Sequence, residues 1–104
     1  MQKVVKVLEE YGIIYSIETL NRYEHYMLNT IDETISFIDQ LGSPNVKILV
    51  DVFHLNIEET DLIRAIKKAG KYIGYVHFGE NNRNLPGTGR MDWTGIAQTL
   101  KDIN

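Results

Sequence analysis

Three strand-like segments of this sequence end in side chains that can bind a metal ion or move a proton, Glu18, Asp51 and His77. In parallel α/β folds, the side chains at the carboxyl ends of neighbouring strands meet in one crevice. Two carboxylates and an imidazole are suitable ligands for a divalent ion such as Mn²⁺, Co²⁺, Mg²⁺ or Zn²⁺. An acidic residue at this position also often caps the following helix. The pattern alone therefore leaves both a metal site and a capping role open.

Other polar side chains follow the same segments. His54 comes three residues after Asp51, close enough along the chain to face the same crevice. Arg83 follows the third segment and precedes a Pro-Gly-Thr-Gly turn at residues 86–89. Its position suits either a surface charge or a clamp for an oxygen-rich substrate, because a guanidinium donates paired hydrogen bonds. His25 lies in a polar and aromatic stretch, where we expect a solvated or packing role.

The apolar pattern predicts three short strands alternating with helices. Compact runs rich in β-branched and aromatic residues, too short for helices, occupy residues 13–17, 46–50 and 72–76. Apolar residues at helical spacing occupy residues 3–11 and 62–69 and also follow Thr30 and Asp92. Alternation at intervals of about thirty residues is typical of βαβ units and predicts an α/β fold with a parallel sheet.

Several residues mark where these elements begin, end and pack. Thr30 can cap the second helix and Glu33 can reach back to it, while Gly12 and Gly42 suit helix ends because glycine tolerates positive φ. The nearly continuous apolar run at 46–50 is typical of a strand covered on both faces. The inner face of the last helix is assigned to Ile96, Ala97, Leu100 and Ile103.

The composition predicts one small domain without affinity for polyanions. The 104 residues suffice for a single domain, and a formal net charge of −3 gives no reason to expect a nucleic-acid or membrane partner. Without cysteine, disulfides, thiolate metal sites and cysteine nucleophiles are excluded. No apolar stretch approaches the roughly 18 residues of a membrane span. We expect a soluble, cytoplasmic protein.

Common nucleotide and hydrolase motifs are absent. The glycines at 87 and 89 lack the Lys-Ser/Thr ending of a P-loop and the third glycine of a dinucleotide-binding motif. The sequence contains no Gly-x-Ser-x-Gly elbow. Residues 86–89 are therefore interpreted as a turn.

Three motifs together resemble one enzyme family. They are Ile17-Glu18-Thr19-Leu20-Asn21-Arg22-Tyr23-Glu24, then Val50-Asp51-Val52-Phe53-His54-Leu55-Asn56-Ile57-Glu58-Glu59, then His77-Phe78-Gly79-Glu80-Asn81-Asn82-Arg83 followed by Pro86-Gly87-Thr88-Gly89-Arg90. In this order and spacing they resemble the D-tagatose 3-epimerase and D-psicose 3-epimerase family of xylose isomerase-like (β/α)8 TIM barrels. The resemblance covers the whole chain. It implies that residues 1–104 are a single incomplete barrel segment with three parallel strands, about the fifth to the seventh.

The resemblance also implies roles for individual residues. Glu18, Asp51 and His77 would be three of four ligands of a divalent metal ion, Mn²⁺ or Co²⁺ ahead of Mg²⁺. Glu18 would also move the proton at C3 of a free ketohexose or related ketose, and the ion would stabilise the enediolate that forms. The C1 and C2 oxygens of the sugar would be bound by Glu24, His54 and Arg83.

The match to the family is incomplete. In that family, an eighth strand ends in a glutamate that is the fourth metal ligand and the second acid/base. This sequence stops before such a strand. Because a complete barrel takes about 250 residues, we expect a fragment of an epimerase. Two alternatives stay open. One is another sugar isomerase of the superfamily, of the hydroxypyruvate or inosose type, and the other is a non-catalytic module that forms homo-oligomers through exposed sheet edges.

Overall fold

Within residues 1–103, which the structure describes, three parallel strands form one sheet and five α-helices alternate with them. In this computed structural model the order is α1 (Gln2–Tyr11), β1 (Tyr15–Glu18), α2 (Ile31–Leu41), β2 (Val46–Asp51), α3 (Val52–Glu58), α4 (Leu62–Ala69), a 3₁₀ turn (Gly70–Tyr72), β3 (Ile73–His77) and α5 (Trp93–Ile103). β2 lies between β1 and β3. The predicted α/β arrangement is confirmed. None of the helices in the described range is long and apolar enough to cross a membrane.

The three strands end with their polar side chains on one face of the sheet. Asp51 pairs with His77, and Glu18 pairs with Leu49, two residues before Asp51 on the same strand. Because side chains alternate between the two faces along a strand, Leu49 and Asp51 share a face, and Glu18 and His77 share it with them. We call this the site face.

The hydrophobic core lies on the opposite face. On β2, Val46, Ile48 and Val50 are at most 1% exposed and belong to one cluster with apolar residues of all five helices. Lys47 and Leu49, on the site face, are half-buried and lie outside that cluster. The prediction that β2 is covered on both faces is therefore wrong. Three strands do not curl far enough to enclose their own inner face, as a closed barrel does.

A β-bulge at Gly74 decides which face the end of β3 presents. Ile48 pairs with Ile73, but the next residue, Leu49, pairs with Tyr75, so Gly74 is an extra residue. In a regular strand, residues 73, 75 and 77 would all lie on the core face with Ile48. The bulge instead moves residues 75 and 77 to the site face.

Glycine is required at this bulge by a close approach of neighbouring strands. A Cβ at Gly74 would lie 2.6 Å from both Lys47 Cβ and Ser16 Oγ. The first of these atoms belongs to the rigid base of a side chain, so it cannot give way without moving β2. The missing side chain thus allows the register that places His77 beside Asp51.

The predicted helix ends are formed, with one change of partner. Thr30 Oγ1 accepts the N–H of Glu33 at 3.2 Å, as expected for an N-cap. The Glu33 carboxylate, however, accepts the N–H of Asn29 at 3.0 Å rather than that of Thr30. Gly12 and Gly42 end α1 and α2 with φ of 64° and 66°.

Other boundaries differ from the sequence prediction. β1 begins at Tyr15, because Ile13 and Ile14 have no strand partner and are 49% and 55% exposed. The helix Val52–Glu58 was not predicted, since its polar residues obscure a periodicity that spans only 7 residues. On α5, Ala97 is exposed and Thr99 is buried in its place.

Candidate active site

Two carboxylates and two imidazoles meet where the three strands end. Glu18 Oε1 lies 3.6 Å from His54 Nε2 and 3.9 Å from His77 Nδ1. Asp51 Oδ2 lies 3.9 Å from His54 Nε2 and 3.8 Å from His77 Nδ1. Two ring nitrogens therefore approach the same pair of carboxylate oxygens.

Asp51 caps a helix with one carboxylate oxygen and faces the site with the other. As the last residue of β2 it is also the N-cap of α3, and its Oδ1 accepts the N–H of Phe53 at 2.9 Å. Its Oδ2 is the oxygen that faces the two histidines. The cap fixes the carboxylate in one orientation, so the second oxygen is held toward the site without a further contact.

The donor set fits a divalent cation. Ligand atoms of Glu18, Asp51 and His54 lie within 4.8 Å of one another, and His77 Nδ1 is 3.8–3.9 Å from the same carboxylate oxygens. Oxygen and nitrogen ligands bind such ions at about 2.0–2.3 Å, which separates two ligand atoms on one ion by about 3–4 Å. The observed separations match this spacing, and they make both histidines candidate ligands.

Asn21 fixes the Nδ1 side of the His54 ring, and the sequence pattern did not predict Asn21 as a site residue. His54 and Asn21 are each 2% exposed. The side-chain amide of Asn21 lies 2.8 Å from His54 Nδ1, and the backbone N–H of Asn21 donates to the same nitrogen at 3.3 Å. Asn21 follows a strand without regular spacing, so periodicity carried no signal for it.

Glu24 and Arg83 form a bidentate ion pair at the rim of the site. Both guanidinium nitrogens donate to the Glu24 carboxylate at 3.1 Å, and Glu24 Oε2 lies 3.4 Å from His54 Nδ1. The Arg83 hydrogen bonds, with a smaller contribution from Asn21, hold the pKa of Glu24 below its usual value. Arg83 also stacks over the Phe53 ring, with its guanidinium carbon 4.6 Å from the ring centre. Its side chain stays 60% exposed and open to a ligand.

All six predicted site residues therefore lie in one connected group. The structure brings together Glu18, Glu24, Asp51, His54, His77 and Arg83. His25 lies apart from them, exposed, stacked on Tyr26 and hydrogen-bonded to Met27. The expectation that His25 is solvated is confirmed.

Glu80 organises the loop that carries Arg83, and the sequence analysis missed it as well. Its side chain is fully buried, and its carboxylate accepts the N–H groups of Gly87 and Met91 and the indole N–H of Trp93. Burial alone would raise the pKa of Glu80, but these donors outweigh it and hold the pKa below the usual value. The buried Glu80 carboxylate therefore holds this loop together by accepting hydrogen bonds from several of its residues.

The same turn fixes the conformation of Arg83. Its N–H donates to the carbonyl of Glu80 at 2.8 Å, and the N–H of Glu80 donates to the carbonyl of Asn84 at 3.1 Å. Arg83 has a φ of 66°, in the left-handed region. A non-glycine residue adopts this conformation at some cost, which the surrounding hydrogen bonds offset.

Comparisons with known proteins agree with this geometry. The sequence profile of the xylose isomerase-like TIM barrel family matches residues 1–104. The chain is 49% identical over 104 residues to the D-psicose 3-epimerase of Enterocloster bolteae, and the match covers 100% of the chain and 35% of that enzyme. It is 40% identical over 103 residues to the L-ribulose 3-epimerase of Mesorhizobium japonicum, covering 99% of the chain and 35% of that enzyme.

A solved structure shows the same arrangement of elements. The D-psicose 3-epimerase from Clostridium cellulolyticum H10, crystallised with D-tagatose, superposes with a TM-score of 0.93 at 45% sequence identity. The match covers 98% of this chain and 35% of that chain. The chain thus spans about a third of the length of the relatives it matches.

Proposed function

Because the chain belongs to the xylose isomerase-like TIM barrel family, we propose that it carries most of the active site of a metal-dependent ketose 3-epimerase. The observation that supports this most is the meeting of Glu18, Asp51 and His77 at adjacent strand ends, in a chain 49% and 40% identical to two 3-epimerases. In this proposal residues 1–104 are one incomplete barrel segment, about the fifth to the seventh strand with their helices.

Glu18, Asp51 and His77 would hold the cation, for which we propose Mn²⁺ or Co²⁺ ahead of Mg²⁺. A divalent ion bound there would supply a Lewis acid that stabilises negative charge on the substrate oxygens. Glu18 would have a second task as the base that takes the proton from C3 of the ketose. Its carboxylate is a third exposed, so a ligand in the crevice can reach it.

Glu24, His54 and Arg83 would bind the sugar near its C1 and C2 oxygens. The lowered pKa of Glu24 keeps this group an anionic acceptor at neutral pH, and Arg83 supplies donors already oriented by the ion pair. Groups fixed before the substrate arrives lose little freedom on binding, which favours the reacting geometry. The substrate class we propose is a free ketohexose or a related ketose.

Inversion at C3 also needs an acid or base on the other side of the sugar. Removal of the proton by Glu18 on one face must be followed by delivery of a proton to the opposite face of the planar carbon. We assign that second group to a part of the barrel that the matched third does not include. The chain alone would therefore exchange the C3 proton far more readily than it would invert C3.

A chimaera tests this proposal. Residues 1–104 would replace the matching third of the Enterocloster bolteae D-psicose 3-epimerase, and a panel of ketoses would be assayed with Mn²⁺ or Co²⁺. We expect interconversion of C3 epimers that a chelator abolishes. The Glu18→Gln variant, nearly identical in shape and assayed at saturating Mn²⁺ because it also loses a ligand charge, should lose about 10²–10⁴-fold in kcat because it cannot take a proton. A folded, metal-loaded chimaera that is inert on the whole panel would overturn the proposal.

A further inference from the structure

Asn21 contacts one nitrogen of the His54 ring, Nδ1, through both its backbone N–H and its side-chain amide. We propose that Asn21 is a positioning residue that keeps the proton of His54 on Nε2, so that His54 donates a hydrogen bond into the site and leaves the imidazole ligand position to His77. The catalytic part of this inference rests on the proposed function. The assignment of the proton rests on the hydrogen bonds alone.

The orientation of the Asn21 amide is fixed by two partners other than His54. The N–H of Tyr23 donates to Asn21 Oδ1 at 2.9 Å, and Asn21 Nδ2 donates to the Glu24 carboxylate at 2.7 Å. Exchanging the amide oxygen and nitrogen would set two donors against each other at Tyr23 and two acceptors against each other at Glu24. The group that faces His54 Nδ1 at 2.8 Å is therefore the NH₂.

Two donors then converge on one ring nitrogen of His54. Besides the amide, the backbone N–H of Asn21 points at Nδ1, at 3.3 Å, and a backbone N–H can only donate. A nitrogen that accepts hydrogen bonds carries no proton, so the ring proton is on Nε2. Because Asn21 and His54 are each 2% exposed, water does not compete for these bonds.

This assignment separates the two histidines at the site. A protonated Nε2 has no lone pair for a metal ion, and on His54 it faces the acceptors Glu18 Oε1 at 3.6 Å and Asp51 Oδ2 at 3.9 Å. His77 Nδ1 lies at 3.9 Å and 3.8 Å from the same two oxygens. In the described part of the chain no N–H donates to the His77 ring, so its Nδ1 is available as a ligand.

The charged groups around His54 agree with a donor in this place. Glu18 and Asp51 approach Nε2, at 3.6 Å and 3.9 Å. Glu24 Oε2 lies 3.4 Å from Nδ1, beyond the usual hydrogen-bond distance, and accepts the Asn21 amide at 2.7 Å instead. A ring N–H directed into such a cluster is stabilised by the carboxylates, whereas a lone pair directed at them would be repelled. An oxygen of a bound sugar, placed between them, would receive the same N–H.

The tautomer can be read directly by nitrogen NMR. The chain contains 3 histidines, and ¹⁵N labelling of their rings gives separate resonances for protonated and unprotonated nitrogens. In the unmodified chain we expect His54 to show an unprotonated Nδ1 and a protonated Nε2. In Asn21→Ala the two His54 resonances should move toward each other, because both tautomers become populated.

Asn29→Ala is the matched control. Asn29 holds the same loop, through Nδ2 bonds to the carbonyls of Leu20 at 2.7 Å and His25 at 2.9 Å, and it has no hydrogen bond to His54. We expect this variant to leave the His54 resonances unchanged. A protonated Nδ1 in the unmodified chain would overturn the proposal, as would an equal shift in Asn29→Ala, which would make Asn21 a loop-holding residue only.

Metal titration provides a second measurement that does not depend on activity. With Mn²⁺ as the probe, His54→Gln should keep the dissociation constant within about threefold, while His77→Gln should raise it more than tenfold. The reverse order would identify His54 as the ligand and contradict the proposal. In the chimaera, Asn21→Ala should lower kcat/KM about 10–100-fold with Mn²⁺ still bound. If the chimaera is inactive, the NMR and titration results still decide the proton assignment.

Discussion

At the residue scale, the two oxygens of Asp51 have separate partners. Oδ1 caps α3 through the N–H of Phe53, and Oδ2 faces His54 and His77. One side chain thus joins the stability of a helix to the chemistry of the site, and substitutions can separate the two contributions.

Asp51→Asn should retain the cap and lose the ligand charge, because asparagine is an equally good N-cap. We expect its free energy of unfolding to stay within about 0.5 kcal/mol of the parent chain, and its Mn²⁺ affinity to fall at least tenfold. Asp51→Ala should lose both, with about 1 kcal/mol less stability. Urea unfolding and Mn²⁺ titration measure the two effects. Equal Mn²⁺ affinity in Asp51→Asn and the parent chain would show that Oδ2 is not a ligand.

Arg83→Ala should raise KM or lower kcat in the chimaera while metal binding is kept, because Arg83 contacts Glu24 and lies outside the ligand group. Arg22→Ala is the control, since Arg22 forms a similar ion pair with Glu58, which is not one of the six site residues. Steady-state kinetics and metal content test both variants. Loss of bound metal in Arg83→Ala would count against a substrate-binding role.

At the element scale, the bulge in β3 and the anchored loop after it determine what the strand ends can present. Gly74 moves His77 onto the site face, and Glu80 closes the loop that carries Arg83. Neither residue belongs to the group that would contact a ligand. Each is expected to change the site through the backbone.

Gly74→Ala should destabilise the fold by about 1–3 kcal/mol, because the new methyl group overlaps the base of the Lys47 side chain. If the strand relieves the overlap by losing the bulge, His77 turns away and Mn²⁺ affinity falls as well. Gly74 does not have a positive φ, so this loss would come from the overlap and not from left-handed backbone strain. Urea unfolding in which Gly74→Ala matches the parent chain would contradict this account of the bulge.

Glu80→Gln should destabilise the chain in a pH-dependent way. The pKa of Glu80 is lowered in the folded state, so the charged form stabilises the fold above the unfolded pKa of about 4.3, and this contribution is lost as the pH falls through the lower folded value. The difference in urea midpoint between the parent chain and Glu80→Gln should thus be largest at neutral pH and shrink below about pH 4. Equal midpoints at neutral pH would show that the carboxylate does not anchor the loop.

Sequence patterns predicted the elements with strong local signals and missed those set by tertiary contacts. α2 was located by its Thr30 cap and Gly42 end, and β2 by its apolar run. α3 and the bulge at Gly74 carry no such signal, because a helix of 7 residues has too few turns to show a period and a register depends on the neighbouring strand.

The candidate site divides in the same way. The side chains that end strands could be predicted because parallel strands end at one edge of a sheet. Asn21 and Glu80 could not, because their roles come from buried hydrogen bonds with residues distant along the chain, His54 and Met91. Two histidines also lie at similar distances from the same carboxylates, so distance alone does not show which one is a metal ligand. The hydrogen bonds to His54 Nδ1 carry the distinction that we propose.

At the scale of the whole molecule, the chain is more open than a closed domain of its length. The radius of gyration is 14.0 Å, against about 13 Å for a compact domain of this size. The accessible surface is 6610 Å², against about 6,000 Å² for a monomer of this mass. Two large apolar side chains are exposed, Tyr75 on the site face and Phe78 just after β3. These values agree with a barrel segment whose inner face needs a further wall.

That wall would come from the remaining strands of a barrel or from another copy of the chain. Association of copies through sheet edges stays a prediction, which light scattering would test, and so does a cytoplasmic location. In either arrangement the site face is where further residues would be added, because Glu18, Asp51 and His77 all lie on it.

Deuterium incorporation into a ketose, incubated in D₂O with the Mn²⁺-loaded chimaera, tests whether the site removes the C3 proton. We expect deuterium at C3 and none at C1, and we expect Glu18→Gln at saturating Mn²⁺ to lose the exchange, because Glu18 takes the C3 proton. Deuterium at C1 would indicate an isomerase that moves protons between C1 and C2. That result, or no incorporation by a folded, metal-loaded protein, would overturn the proposed 3-epimerase function.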